Sequence, residues 1–229
     1  MSSATGTVYV VDDDPQARAA LARLLRSAGY QTRSFASAGE FLAAHLEQAP
    51  GCLILDLAMP GMSGLELQQA LLKAGCRRPI VFLSGKGDIS QTVCAMKGGA
   101  VNFLTKPVDA RELFATVEEA LTLDAAERIA RVARHGVAER IATLTPRERQ
   151  VLGQLVSGKI NKQIAAALGT AEKTVKVHRS RVMRKMHANS IVELVKLATL
   201  AGIHSGMPAG IPSGLPGMVA SAQMSSRQH

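Results

Sequence analysis

Five side chains in the first half of this 229-residue sequence are of the types that handle a phosphoryl group. They are Asp12 and Asp13 in VVDDD, Asp56 in LILD, Ser84 in VFLS and Lys106 in FLTKP. Carboxylates brought to one place repel: a pair 4 Å apart costs about 4 kcal/mol at an effective dielectric of 20. A divalent cation relieves that cost. With oxygen donors only, and no His or Cys among them, the set favours Mg²⁺ over zinc, and Mg²⁺ keeps waters while binding one or two carboxylates plus a phosphate. A lysine adds a point charge suited to a phosphoryl oxygen, and a serine hydroxyl donates to another. The chemistry these residues predict is handling of a transferable phosphoryl group.

The elements that must position them are legible in the hydrophobic pattern. TVYVV (7–11), TRSF (32–35), CLILD (52–56), PIVFLS (79–84) and AVNFLT (100–105) read as strands, separated by amphipathic stretches near 16–28, 38–48, 64–74, 89–98 and 109–122. Five βα units in succession predict a doubly wound α/β fold: a five-stranded parallel sheet with helices on both faces, because right-handed crossovers place them there. Such sheets bind ligands beyond the carboxyl ends of their strands. Asp12 and Asp13 follow the first strand, Asp56 closes the third, Ser84 the fourth, and Lys106 follows the fifth.

Charge separates the rest of the chain from this unit. Lys plus Arg is 27 and Asp plus Glu is 18, a formal charge of +9. Residues 1–122 hold 11 basic and 12 acidic side chains, whereas residues 141–203 hold 11 basic and 3 acidic. The second segment is suited to a polyanion. Residues 123–140 keep a helical period and read as a helical linker extending the last helix of the first domain. From LTPRERQVL onward, with Thr145 as cap and Pro146 at the first helical position, four short helices are expected near 146–157, 161–168, 171–186 and 190–201. The span 160–186 has the layout of a helix-turn-helix, with Gly169 in the turn.

The longest uncharged stretch, Leu197 to Ser226, carries five Gly, three Pro and five Ser, so it is no membrane span, and residues 204–229 read as a flexible Gly/Pro/Ser-rich tail. Cys52, Cys76 and Cys94 form no CxxC pair, and the first residues lack the layout of a secretory signal. The expectation is a cytoplasmic protein whose thiols are reduced and serve as buried small hydrophobes.

VVDDD after the first strand, LILDLAMPGMSGLEL around the third, VFLSGKGD at the fourth and FLTKP at the fifth resemble the receiver domain of bacterial two-component response regulators, over residues 6–122, a flavodoxin-like fold. The resemblance implies that Asp56 takes a phosphoryl group from a histidine kinase. It also implies that Asp12, Asp13, Asp56 and the backbone carbonyl of Ala58 hold Mg²⁺, with Asp12 acting through water. Lys106 pairs with the phosphoryl group, Ser84 rotates to meet it, and Phe103 changes rotamer with Ser84. Asp14 reads as a solvated neighbour. Two departures from the family pattern concern lifetime and donor choice: Ala58 has no side chain where many receivers carry a polar one, and Lys86 adds a cation.

Rotating residues 171–186 by 100° each places Val175, Val182 and Met186 on a core stripe, with Lys173, Val177, Ser180 and Arg184 opposite, flanked by Lys176 and Arg181. A helix with one buried stripe and a basic far face fits a major groove. LTPRERQVL, NKQIAAALG, KTVKVHRSRVMRKM and ELVKLA resemble the LuxR-type DNA-binding domain over residues 141–203, which with a receiver is the NarL/FixJ branch. That resemblance turns Lys173, Lys176, Val177, Ser180, Arg181 and Arg184 toward DNA, with Val177 as an apolar base contact. Asn161, Lys162 and Arg179 reach the DNA backbone, and His178 packs partly buried. Ile160 and Ala171 replace the usual hydroxyl caps, with Asn161 and Thr170 as substitutes.

The function this implies is a phosphorylation-dependent transcriptional regulator and not an enzyme. Its expected partners are a histidine kinase, double-stranded promoter DNA, a second copy on phosphorylation, and RNA polymerase, with no membrane. The same residues admit two other readings. A phosphatase using Asp56 as nucleophile lacks the DxD general acid, since the second residue after Asp56 is Ala58. A regulator whose receiver serves protein contacts without phosphate is the alternative within the same family.

Overall fold

The computed structural model describes residues 6–46, 49–85 and 89–203. The chain divides into two compact units, Met1–Arg131 and Val132–His229. In the first, strands β1 (Thr7–Val11), β2 (Gln31–Phe35), β3 (Gly51–Asp56), β4 (Ile80–Ser84) and β5 (Asn102–Thr105) alternate with helices α1 (Pro15–Ser27), α2 (Ala38–Ala43), α3 (Gly64–Lys73), α4 (Ile89–Lys97) and the start of α5 (Ala110–Ala142). The strands form one all-parallel sheet in the order β2-β1-β3-β4-β5. This is the flavodoxin-like α/β architecture expected from the sequence.

The strand pattern follows from two covered faces. Every residue of β3 is buried, because successive side chains point to opposite sides and both sides carry helices. Leu53 and Leu55 pack with Phe41, Leu67, Leu71 and Phe82. Cys52 and Ile54 pack with Leu21, Leu25, Leu113 and Val117 on the other side. Strand order reverses between β1 and β3, so the crevice a parallel sheet offers to ligands opens where Asp12 and Asp56 leave their strands.

Two expectations about this unit need correction. The amphipathic stretch at 38–48 is helical only to Ala43, since tight turns from Ala44 and His45 onto Phe41 and Leu42 end it and His45 enters the left-handed region at φ 48°. Cys52 and Cys76 are buried, but Cys94 is exposed. Helix α4 buries Ala95 and turns Val93, Cys94 and Met96 outward.

The second unit packs the end of α5 with α6 (Pro146–Val156), α7 (Asn161–Leu168), α8 (Glu172–Met186) and α9 (Ile191–Leu200). Helix α5 runs unbroken through the stretch read as a helical linker. Thr145 caps α6 by accepting from Glu148 N, while the Glu148 carboxylate accepts from Thr145 N at 2.9 Å, a reciprocal box that satisfies two otherwise orphan donors. Gly169, left-handed at φ 60°, ends α7 and turns the chain into α8. Thr170 and Asn161 do not act as the substitute caps expected of them. The N-cap residues are Ile160 and Ala171, neither with a side-chain bond; Gln163 Oε1 accepts from Ile160 N, and Asn161 Oδ1 is taken by Arg179 Nη1 at 3.3 Å.

Among the described residues no helix is long and apolar enough to cross a membrane. Lys86 and the tail at 204–229 lie outside the described residues.

Candidate functional site

Asp12 and Asp56, 44 positions apart in the chain, both emerge buried at the strand ends, 1% and 6% exposed. Lys106 reaches them from the end of β5. Its Nζ lies 2.7 Å from Asp12 Oδ2 and 2.5 Å from Asp56 Oδ1. Each carboxylate has a second donor: Asp14 N to Asp12 Oδ1 at 2.9 Å, and Ala58 N to Asp56 Oδ2 at 3.0 Å. The two carboxylates therefore share one ammonium, which leaves an excess of negative charge.

The titration behaviour of the pair has a clear origin. Burial pushes the Asp56 carboxyl above its ordinary value, and the Lys106 ammonium only partly offsets this. For Lys106, burial opposes the charge, but hydrogen bonds and attraction from Asp12 and Asp56 outweigh it and hold the ammonium above its usual pKa.

Local sequence explains how Asp56 is held. Helix α3 begins against it because Gly64 has no side chain: a Cβ there would stand 2.4 Å from Asp56 O and 3.0 Å from the Phe82 ring. Gly64 N also donates to Leu57 O at 3.1 Å. Ser63 and Glu66 close a capping box that fixes where α3 starts.

Ser84 is buried at the end of β4, and its carbonyl accepts from Lys106 N at 2.7 Å, which ties the two strand ends together. Phe103, partly buried on β5, packs against the core cluster on one face of the sheet. Asp13 and Ala58 are exposed at the mouth of the pocket. Asp14 caps α1, its Oδ1 accepting from Gln16 N at 2.8 Å. Among the described residues no three His, Cys, Asp or Glu side chains gather closely enough to enclose a metal. The fit is to an ion that retains its waters: two buried carboxylates with uncompensated charge, oxygen donors only, and an open mouth.

In the second unit the core stripe of α8, Val175, Val182 and Met186, is fully buried. On its outer side Lys173, Lys176, Val177, Ser180, Arg181 and Arg184 line one shallow concavity of about 540 Å³. Five polar or cationic side chains surround Val177, which is 46% exposed. Lys162 is exposed on α7, whereas Asn161 is half-buried and engaged by Arg179; neither lines that concavity. His178 is half-buried, in keeping with the packing role expected of it.

Two contacts were not legible in the sequence. Arg18 folds back onto the carbonyls of the acidic turn. Lys185 reaches Glu148 at 2.7 Å and Thr143 O at 2.9 Å, fastening the end of α8 to the start of α6. The only sequence trace of the second was the T-x-x-E spacing at 145–148.

The family comparisons assign the same two halves. The response regulator receiver domain matches residues 8–118, and the bacterial regulatory proteins of the luxR family match residues 142–198. The chain belongs to the NarL/FixJ family of two-component response regulators. It is 42% identical over 202 residues to nodulation protein W of Bradyrhizobium diazoefficiens, covering 88% of this chain and 89% of that one. It is 44% identical over 196 residues to the transcriptional regulatory protein FixJ of Azorhizobium caulinodans, covering 86% and 93%. Among solved structures, response regulator StyR matches with a TM-score of 0.72 at 46% identity, covering 84% of this chain and 98% of that one. Full-length FixJ from B. japonicum gives 0.53 at 41% identity, covering 86% and 98%. A NarL/FixJ receiver followed by a LuxR-type DNA-binding domain makes this protein a two-component transcriptional regulator.

Proposed function

We propose that this NarL/FixJ regulator accepts a phosphoryl group on Asp56 from a phosphohistidine of a partner kinase and, so modified, binds promoter DNA in the cytoplasm. The observation that carries this reading is the convergence of Asp12, Asp56 and Lys106 within 2.7 Å contacts at the switch point of the sheet.

An Asp56 carboxylate oxygen attacks phosphorus in line, a P–O bond forms as the P–N bond to the kinase imidazole breaks, and the leaving nitrogen takes up a proton. Asp13, Asp56 and the Ala58 carbonyl would hold Mg²⁺, with Asp12 acting through water, and the ion would supply neutralisation of phosphoryl charge. Lys106 moves from bridging two carboxylates to pairing with a phosphoryl oxygen, so one cation serves both states. Its link to Ser84 O carries that change to the end of β4, where the Ser84 hydroxyl turns to the phosphoryl group and Phe103 follows.

The acyl phosphate carries about two negative charges where the Asp56 carboxylate carried one, and this change in charge and bulk shifts the receiver population. Two copies then pair and present two α8 helices to a two-fold-related site. Lys173, Lys176, Ser180, Arg181 and Arg184 hold phosphates and polar edges, Val177 meets base methyl groups, Asn161 and Lys162 approach the backbone from α7, and RNA polymerase is a further partner.

The test pairs two measurements. Asp56→Asn should fold and fail to take up label from a small phosphodonor with Mg²⁺. Wild-type DNA affinity, compared with and without that donor, should rise at least several-fold on phosphorylation. Labelling of the Asn variant would overturn the acceptor assignment, and an unchanged DNA affinity would leave a receiver that serves protein contacts alone.

A further inference from the structure

We propose that Arg18 is a positioning residue of the acidic pocket: its guanidinium pins the peptide chain of the β1–α1 turn and thereby sets where the Asp12 and Asp13 carboxylates stand toward Mg²⁺. This rests on the Mg²⁺-binding reading of the pocket given above. Arg18 Nη1 donates to Asp12 O at 2.6 Å and to Asp13 O at 3.3 Å, while Arg18 N donates to Asp14 O at 2.9 Å. The guanidinium therefore holds two successive carbonyls of the acidic run, while the Arg18 N–H bond to Asp14 O is the first backbone bond of α1 and does not depend on the side chain.

The consequence differs between the two acids. Asp12 is buried and fixed through both carboxylate oxygens, by Asp14 N and Lys106 Nζ. Asp13 is exposed, so its carboxylate is placed chiefly by the backbone from which it springs, and Arg18 holds that backbone. Partners that orient a metal ligand without touching the metal act in this way.

Charge alone argues the other way. A guanidinium beside a cation site repels the cation, so removing it should tighten Mg²⁺ binding if Arg18 acts only through its charge. Geometry and electrostatics thus predict opposite signs, and that makes the role decidable.

The experiment is a direct calorimetric Mg²⁺ titration of the full-length protein without any phosphodonor, on wild type, Arg18→Gln and Arg18→Lys, with thermal unfolding of each followed in parallel. The proposal expects Arg18→Gln to bind Mg²⁺ about tenfold more weakly. Arg18→Lys, whose ammonium can still reach the Asp12 carbonyl, should recover part of that loss. Both losses are to be read at a temperature where all three proteins are folded, so a fall in unfolding midpoint alone does not produce them. Unchanged or tighter binding by Arg18→Gln overturns the proposal. A wild-type protein that takes up no Mg²⁺ instead overturns the pocket reading itself, and this assignment with it.

Discussion

Burial disfavours the ionised form of Asp56. It is 6% exposed, and burial raises its pKa despite the adjacent ammonium. A carboxylate whose folded-state pKa lies above its unfolded value contributes stability when protonated and loses it as pH rises through the folded value. Asp56→Asn, which removes the charge and keeps the shape, should therefore stabilise the first unit by about 1 kcal/mol at neutral pH. The gain over wild type should shrink as pH falls through the raised Asp56 value. Thermal unfolding of both proteins across that range checks the sign, and a destabilised Asn variant at pH 7 would show that the Lys106 pairing outweighs burial. On α8, Lys176→Ala and Arg184→Ala should each weaken DNA binding across unrelated sequences and reduce the salt slope by about 1. Val177→Ala should leave the slope alone and relax preference at single base pairs, since an apolar contact carries no counterions. DNA titrations at several salt concentrations separate the two classes.

Elements are fastened by a few long-range polar contacts whose failure should be local. Glu148, 2% exposed, accepts from Lys185 Nζ and Thr145 N, and these bonds lower its carboxyl from 4.5 to about 2. A carboxylate with a depressed folded-state pKa contributes stability above its unfolded value and loses it as pH falls through the folded one. The second unit should accordingly lose stability between about pH 4.5 and about 2. Glu148→Gln should destabilise it by about 3 kcal/mol at pH 7, because Lys185 is left without its anion and the capping box is weakened. The DNA affinity of that variant should fall with it, since Lys185 and Arg140, which donates to Met186 O at 3.2 Å, add polar fastening to the buried C-terminal end of α8. Circular dichroism against pH for wild type and variant tests the first claim; full stability at pH 3 would refute it.

At the scale of the whole molecule, the two units divide chemistry from recognition along a single chain. The nearly neutral half carries the acidic pocket, and the basic half carries the cationic outer face of α8. Phosphorylated protein should pair, whereas Asp56→Asn with the same phosphodonor should keep the mass of the unmodified protein in light scattering. Pairing of the Asn variant under those conditions would uncouple assembly from the pocket.

Much of this was written locally in the sequence. Strand and helix periods, the acidic and basic residues closing successive strands, Thr145 and Pro146 opening α6, and the buried stripe of α8 all depend on spacings within one or two turns, which a chain expresses without knowing its fold. The single parallel sheet followed from those elements because right-handed crossovers favour it, whereas the strand order β2-β1-β3-β4-β5 came from the tertiary structure. The tertiary structure alone decided which distant groups meet. Lys106 touches Asp12 across 94 residues, Lys185 touches Glu148 across 37, Asn161 is spent on Arg179 instead of capping a helix, and Cys94 faces outward while its neighbour Ala95 is buried. Such contacts depend on the distance and angle between packed elements, and no local period encodes those quantities.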